Sequence, residues 1–331
     1  MLTALTGALL IAGCGPSEPA KANEQGTAQK TEGGRITIDG SSTVFIVTNQ
    51  VAEGYMDLHP ETSINVSLSG TGNGFKKFAA GETDISNASR PIEEKEIAAL
   101  KESKIEFIEV PVAYDGLTVV VNKDNTWVDH LTVSELKKIW EPEAQGKVMK
   151  WSDIRAGWPA TSLKLYGPGT GSGTFDYFTK VIVGKEKSSR ADYTPSEDDN
   201  QLVVGVAGDK GALGYFGYAY YLENVDKLKA VPIDNGSGPV TPSPETIEDR
   251  TYAPLSRPEF IYIKTSAMEK PYVKSFVEFY LSPEGQELIK ESGYVPFKPE
   301  VYELILAHVN SGKTGTLFAG QLGKPVDSIF K

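Results

Sequence analysis

The sequence predicts an α/β protein, because short strand-like runs alternate with helical patterns along most of its length. Three such units follow one another between Ile36 and Lys101. Each unit joins a strand to a helix through a turn rich in glycine or hydroxyl residues, and ligands of α/β sheets bind at the carboxyl ends of strands. No internal repeat of solenoid length is visible. We therefore expect an α/β sheet with a ligand site at one edge.

The first three units are defined by apolar spacing. Their strands are predicted at Ile36–Ile38, Ile64–Leu68 and Asp84–Ser86. Their helices are predicted at Val44–Leu58, Phe75–Ala80 and Ile92–Lys101. Pro91 is expected at the first position of the third helix, where proline is favoured.

The remainder of the chain continues the alternation. Strands are predicted at Ile105–Val112, Leu117–Asn122, Leu163–Tyr166, Ala212–Tyr221 and Phe260–Ile263, with Tyr114–Gly116 joining the first two. Helices are predicted from a capping box at Thr132–Glu135, at Thr174–Val183, at Lys270–Leu281 and at Ser282–Ser292.

Composition limits the class of protein. The chain has 331 residues, with 33 basic and 44 acidic side chains and a net charge of −11. Its hydrophobic content of 40% and charged content of 23% are those of a globular protein, so disordered and fibrous classes are excluded. We expect no nucleic-acid partner, because such a partner requires a basic face.

The single cysteine, Cys14, follows the short apolar run Leu9–Gly13. This pattern resembles a bacterial lipoprotein signal: residues 1–13 would be the signal peptide, Cys14 the acylated residue and residues 14–34 a flexible tether. No lysine or arginine precedes the apolar run, which departs from that pattern. The alternative is a buried thiol in a short helix. Pro16 and the polar stretch after it disfavour that alternative.

Three turns combine small residues with hydroxyls at the start of a predicted helix: Asp39–Thr43, Ser69–Gly74 and Gly167–Phe175. Free backbone N–H groups, close approach at glycine and hydroxyl donors can together bind a tetrahedral anion. Any one of them alone would be an ordinary capped turn. Three in one chain, with Ser89 and Arg90 after another strand, favour an anion site.

Enzyme motifs are missing from the sequence. No segment fits the P-loop pattern, and the sequence around Ser172 does not fit the nucleophile elbow. His59, His130 and His308 lack metal-ligand spacing. His59, before Pro60, is expected to end a helix. We therefore expect no enzymatic activity, no cofactor and no metal.

Four motifs carry a resemblance to a known family. They are Ile38–Thr43, Gly81–Ile92, Gly171–Phe175 and the stretch from Val206–Asp209 through Gly214–Tyr218. Together they resemble the phosphate-binding proteins of bacterial phosphate ABC transporters, from about Arg35 to the C-terminus. The resemblance implies a type II periplasmic binding protein fold, with two α/β lobes joined by a two-strand hinge.

The resemblance also implies lobe boundaries. Lobe I would comprise residues 35–114 and 258–331, and lobe II residues 115–257. The hinge would match Pro111–Gly116 and Arg257–Ile261.

By the same resemblance, phosphate ligands are assigned to individual residues. They fall on Ser42, Thr43, Thr71, Ser89, Ser172, Gly173 and Thr174.

Two departures from the family pattern shape the remaining assignments. The best-known members have an aspartate where this chain has Ser89, and a phosphate-pairing arginine where it has Pro168 and Gly169. Arg90 is the expected replacement for that arginine. Asp115 is a candidate proton acceptor or a partner that orients Arg90, with an ordinary turn aspartate as the alternative.

The resemblance implies an extracytoplasmic, lipid-anchored receptor, in the periplasm or on the outer face of the cytoplasmic membrane. It would be a monomer that delivers inorganic phosphate to membrane permease subunits of an ABC importer. A receptor for sulfate or molybdate and an extracytoplasmic phosphatase are the alternatives.

Overall fold

The computed structural model describes residues 33–321 and 325–330, so Cys14 and the predicted signal peptide and tether lie outside the described residues. The described part contains twelve strands. In chain order they are β1 Arg35–Gly40, β2 Ser63–Leu68, β3 Ile85–Ala88, β4 Phe107–Asn122, β5 Leu131–Thr132, β6 Lys164–Pro168, β7 Thr194–Ser196, β8 Ala212–Gly217, β9 Leu228–Ala230, β10 Ile233–Asp234, β11 Pro239–Val240 and β12 Ser256–Lys264.

Thirteen α-helices accompany these strands in the same residues. They are α1 Ser42–Leu58, α2 Thr71–Ala79, α3 Glu94–Glu102, α4 Val133–Trp140, α5 Trp151–Ile154, α6 Gly173–Phe178, α7 Asp199–Ala207, α8 Tyr218–Leu222, α9 Pro244–Glu248, α10 Thr265–Met268, α11 Pro271–Leu281, α12 Pro283–Glu291 and α13 Pro299–Ser311. A π-helical turn at Thr179–Val183 extends α6. None of the described helices has the length and apolar character that a bilayer span requires.

One continuous sheet runs through the fold, in the order β2-β1-β3-β12-β4-β8-β6-β7, with β9 also paired to β4. Strand β4 links its two parts. Residues 107–116 of β4 pair antiparallel with β12, and residues 117–121 pair antiparallel with β8. A small second sheet contains β11, β10 and β5.

Buried apolar side chains form separate cores along this sheet. One core is drawn mainly from residues 36–113 and 260–326, and another mainly from residues 117–255. A smaller cluster includes Val120, whereas Val119 and Val121 belong to the second core, because neighbouring strand residues point to opposite faces. We call residues 35–114 and 258–331 the first half, and residues 115–257 the second half.

The predicted α/β fold class is confirmed, as are most of its elements. The first three strands and helices are found within a few residues of their predicted positions, and Thr132 caps α4 through a capping box with Glu135. His59 is the last capping residue of α1, where its N–H donates to the Tyr55 carbonyl.

Some element predictions are wrong. The chain does not turn at Tyr114–Gly116, because β4 continues through them and all three residues pair with β12. Pro91 does not begin α3, since Glu93 forms the capping box with Glu96 at a later position. The predicted strand at Ala212–Tyr221 ends at Gly217, where α8 follows.

Candidate anion-binding site

The first predicted anion turn connects β1 to α1. The Ser41 hydroxyl caps α1 by accepting a hydrogen bond from the Val44 N–H, at 3.3 Å. This cap places Ser42 and Thr43 in the buried first turn of the helix. Thr43 faces the second half, where its Oγ1 shares a 3.0 Å hydrogen bond with Thr174 Oγ1.

The second turn brings Thr71 beside Ser89. Gly70 has a φ of 86°, which glycine adopts readily, and the chain then enters α2 at Thr71. Thr71 Oγ1 and Ser89 Oγ share a hydrogen bond of 3.1 Å, and the Ser89 N–H also donates to Thr71 Oγ1. Ser89 directly follows β3. Both hydroxyl groups therefore lie at the carboxyl edge of the first sheet.

The third turn belongs to the second half and packs directly against the first. The Ser172 hydroxyl caps α6 by accepting from the Thr174 N–H. A Cβ placed on Gly173 would lie 2.5 Å from Thr71 Oγ1 and 2.7 Å from Ser89 Oγ, so only glycine fits there. The structure thus brings together the hydroxyls that were predicted separately from three segments.

The hydroxyl groups of Thr43, Thr71, Ser89 and Thr174 form what we call the hydroxyl cluster. Arg257 contacts this cluster. Its Nη2 donates to Thr174 Oγ1 at 2.9 Å and to Asp115 Oδ2 at 3.0 Å, while Nη1 donates to the Ser89 carbonyl at 3.0 Å. Its Nε lies 2.8 Å from Glu259 Oε1. The side chain is only 1% exposed. The available signal in the sequence was a pair of charged residues, Arg257 and Glu259, within an otherwise apolar strand.

Asp115 lies in β4 opposite Arg257, as a direct cross-strand neighbour. Its two oxygens accept hydrogen bonds from Arg257 and from the Tyr218 N–H, the latter at 3.1 Å. Asp115 therefore orients an arginine at the site, but that arginine is Arg257, not Arg90.

Asp199 is a second carboxylate at the site, and the sequence analysis missed it. It is the first residue of α7, is 1% exposed, and its Oδ2 lies 3.4 Å from the Ser42 hydroxyl. Burial raises the pKa of Asp199 to about 7, although the charge of Arg257 lowers it. An adjacent pair of aspartates before an apolar helix is typical of an ordinary helix cap. The sequence pattern therefore did not indicate that Asp199 lies at the site.

Arg90 occupies a different position from the one predicted. Its Nε donates to Asp176 Oδ2 at 2.9 Å, and its Nη1 and Nη2 donate to the two oxygens of Glu96 at 2.9 and 2.8 Å. Glu93 Oε1 lies 3.0 Å from the same Nε. The Arg90 guanidinium therefore points to carboxylates, and the arginine that contacts the hydroxyl cluster is Arg257.

Within the described part of the chain, one group of three carboxylates has the spacing of a cation site. The ligand atoms of Glu93, Asp176 and Glu186 lie within 4.8 Å of one another. Arg90 and Lys187 already contact this group, with Lys187 Nζ 3.4 Å from Asp176 Oδ2. These cations supply the positive charge that a metal ion would otherwise bring.

Comparisons with known proteins identify the family of this chain. A family model described as a PBP superfamily domain matches residues 22–284. The chain is 43% identical to the protein SphX of Synechocystis sp. over 315 residues, which is 95% of this chain and 90% of that protein. It is 36% identical to the phosphate-binding protein PstS of Staphylococcus haemolyticus over 303 residues, or 91% of this chain and 92% of that protein.

A solved structure shows the same architecture. It is a putative phosphate ABC transporter substrate-binding protein with bound phosphate from Clostridium perfringens. The similarity has a TM-score of 0.67 and 28% identity, and covers 80% of this chain and 100% of the other. The architecture is therefore the type II periplasmic binding protein fold, and the chain belongs to the PBP superfamily, in the family of phosphate-binding proteins that the sequence motifs indicate.

Proposed function

We propose that this protein binds inorganic phosphate between its two halves and catalyses no reaction. In this proposal, residues 35–114 with 258–331 form one lobe and residues 115–257 form the other. The observation that carries the proposal is the contact of buried Arg257 with Thr174 and with the carbonyl of Ser89, one residue from each side of the cleft.

The chemistry of the cluster suits a tetrahedral oxyanion. Thr43, Thr71, Ser89 and Thr174 bring hydroxyl donors from both halves, and Arg257 brings a positive charge. Hydrogen bonds to charged groups contribute roughly 1.5–3 kcal/mol each, while micromolar affinity needs about 8 kcal/mol. A ligand that replaces the hydroxyl–hydroxyl bonds would thus have enough partners to offset its desolvation.

We propose Arg257 as the principal cation for phosphate, in place of the predicted Arg90. Glu96 and Asp176 already accept hydrogen bonds from the Arg90 guanidinium, and Glu93 forms an ion pair with it, so turning Arg90 toward a ligand would leave buried acidic groups without their partner. Arg257 needs no such change, because one of its donors already reaches a site hydroxyl.

We propose that Asp199 accepts the proton of phosphate. Near pH 7 phosphate retains a proton and sulfate has none, so an ionised carboxylate favours phosphate and repels sulfate. Asp115 is the acceptor that the sequence predicts, but its oxygens already accept from Arg257 and Tyr218. Asp199 lies beside Ser42 with a weaker hydrogen bond and is buried at the same site.

Titration calorimetry with phosphate and sulfate tests the binding proposal. Phosphate should bind at micromolar or lower dissociation constant, and sulfate much more weakly. Tighter binding of sulfate or molybdate would assign the chain to another oxyanion. Release of phosphate from a generic phosphate ester would contradict the absence of catalysis.

We further propose that Cys14 is acylated, and that the anchored receptor works outside the cytoplasmic membrane as a monomer that passes phosphate to an ABC permease. The support is the sequence around Cys14 and the similarity to the putative phosphate ABC transporter substrate-binding protein from Clostridium perfringens. Membrane fractionation tests the anchor: Cys14→Ser should release the protein into the soluble fraction. Equal partitioning of both forms would leave Cys14 as an ordinary residue.

A further inference from the structure

A compact cluster of charged side chains joins the two halves beside the anion site. Its central residue is Arg90 of the first half, which donates to Glu96 of its own half and to Asp176 of the second. Asp176 is 1% exposed. This contact is therefore a buried ion pair across the cleft.

The cluster is mechanically connected to the anion site through α6. Asp176 lies two residues after Thr174 in this short helix, whose Thr174 hydroxyl accepts from Arg257. The ion pair between Arg90 and Asp176 therefore holds the Ser172–Thr174 turn against the first half. The neighbouring Gly72 N–H supports the same contact by donating to the Gly171 carbonyl at 3.0 Å.

The cluster is one positive charge short of neutrality. Its acidic members are Glu93, Glu96, Asp176 and Glu186. Its basic members are Arg90, Lys95 and Lys187, of which Lys95 pairs with Glu93 and Lys187 with Asp176. Four of these residues belong to the first half: Arg90, Glu93, Lys95 and Glu96. The other three belong to the second half.

Glu93 and Glu186 approach each other across the cleft, with carboxylate oxygens within 4.8 Å. Burial and the facing Glu93 raise the pKa of Glu186 to about 7, with Asp176 adding to the rise and Arg90 opposing it. Burial also acts to raise the pKa of Glu93. The hydrogen bond with Glu186 and the positive charges of Arg90 and Lys95 outweigh burial and lower that pKa to about 2. The two carboxylates therefore favour sharing one proton when they face each other.

We infer that Arg90 is a positioning residue whose cluster latches the two halves together, and that the latch closes with uptake of one proton shared by Glu93 and Glu186. This inference rests on the proposed closure of the two lobes over phosphate. It assigns Arg90 and the two glutamates a role in holding the closed state, without contact with the ligand.

The direction of the pH effect follows from the geometry. When the halves separate, Glu186 loses its acidic neighbour Glu93, and its pKa falls toward the ordinary value. Between about pH 5 and pH 7 the closed protein thus holds a proton that the open protein lacks. Closing is favoured at the lower pH and weakens as the pH rises through 7, and phosphate affinity weakens with it.

The variant Glu186→Gln tests this linkage, because an amide can donate to Glu93 at every pH without titrating. Phosphate dissociation constants are measured by calorimetry from pH 6 to pH 8 for wild type and variant. The titrations of phosphate and of Asp199 occur in both proteins and cancel in the ratio of the two constants. We expect that ratio to change about three- to tenfold over this interval, with the variant binding more tightly at pH 8.

Glu94→Gln is the matched control. Glu94 follows Glu93 directly, lies in the first turn of α3 and is exposed. Its substitution by glutamine removes one negative charge, as Glu186→Gln does. Its ratio to wild type should stay constant with pH. A constant ratio for Glu186→Gln as well would overturn the latch, as would a pH-dependent ratio of equal size in both variants.

Proton counting gives a second readout. Calorimetry of phosphate binding at pH 6 in buffers of different ionisation enthalpy should show about one proton fewer taken up by Glu186→Gln than by wild type. Equal uptake would overturn the inference. Failure of all three proteins to bind phosphate at any pH would instead contradict the proposed function.

Discussion

Two buried arginines mark two regions of this molecule, and they differ in what surrounds them. Arg257, at the junction of the halves, donates to a hydroxyl and a backbone carbonyl as well as to Asp115. Arg90 donates to the carboxylates of Glu96 and Asp176. Both side chains are almost fully buried.

Under the proposed function, this difference means that burial and charge alone do not identify an anion-binding arginine. Every side-chain hydrogen-bond acceptor of Arg90 is a carboxylate, so an incoming anion gains little from this guanidinium. Arg257 also contacts two carboxylates, those of Asp115 and Glu259, but it donates in addition to the Thr174 hydroxyl, so an anion bound at that hydroxyl would lie beside its positive charge. The partners of each arginine therefore decide its role.

The same substitution at both arginines breaks this comparison most directly. Arg257→Lys should weaken phosphate binding about 100-fold, or about 2.7 kcal/mol, because one ammonium cannot reach Thr174, Asp115 and the Ser89 carbonyl together. Calorimetry measures the loss, with thermal unfolding as the check on folding. A near-normal dissociation constant would remove Arg257 from the ligand shell.

Asp199→Asn sharpens the comparison on the acidic side of the site. Because burial raises its pKa to about 7, Asp199 holds a proton below that pH and can donate to sulfate. Above it, the ionised group accepts only. The phosphate-over-sulfate preference of wild type should therefore rise with pH through 7, whereas the variant should stay flat.

At pH 8 we expect the preference of Asp199→Asn to be about 30-fold smaller than that of wild type, or about 2 kcal/mol. Competition binding with the two anions measures it. Asp115→Asn is the companion variant: if it alone abolishes the pH dependence, Asp115 is the proton acceptor, as the sequence predicts.

Thr71→Val removes one hydroxyl donor while keeping the shape of the side chain. We expect about tenfold weaker phosphate binding, since a hydrogen bond to a charged ligand contributes at least about 1.5 kcal/mol. Thr48→Val is the control, because the Thr48 hydroxyl is equally buried but bonds to Asn87 and Tyr280. Equal losses in both variants would show that the effect is one of general packing.

Arg90→Lys should have the smallest effect on affinity, about fivefold, because it loosens the contact with Asp176 but leaves every proposed ligand in place. The measurement is the same calorimetric titration as for Arg257→Lys. A larger loss at Arg90 than at Arg257 would reverse the assignment of the two arginines.

The parts of the site that the sequence predicts are those built locally. Ser42, Thr43, Thr71 and Thr174 all lie within the first turn of a helix that follows a strand, so a short motif contains both the residue and its geometry. Strand–helix alternation likewise predicts the fold class, because each element has its own apolar period.

Arg257 and Asp199 escape such prediction because their partners are remote. Arg257 lies 168 positions from Ser89 and 142 from Asp115, and Asp199 lies 157 from Ser42. Arg90 is adjacent to Ser89 in the chain, yet its guanidinium points to Asp176, 86 positions away. Adjacency in sequence predicted Arg90 beside the hydroxyls, whereas the arginine that contacts them in the structure is Arg257, since side-chain direction depends on tertiary packing.

Tertiary pairing also explains the error at Tyr114–Gly116. An Asp-Gly pair is typical of turns, but here β12 and β8 pair with consecutive parts of β4 and hold it extended. The backbone hydrogen bonds of the sheet therefore outweigh the turn preference of the Asp-Gly pair.

The position of β12 sets an order for folding during synthesis. This strand lies between β3 and β4 in the sheet, yet it leaves the ribosome only after nearly all of the second half. The second half is one uninterrupted stretch of chain and can assemble as soon as it emerges. Strand β3 has no partner on the β4 side until β12 emerges, and Arg257, near the start of β12, emerges with that strand. A nascent chain therefore brings Arg257, the arginine that we propose for the anion, to its place only when β12 can join β3 to β4.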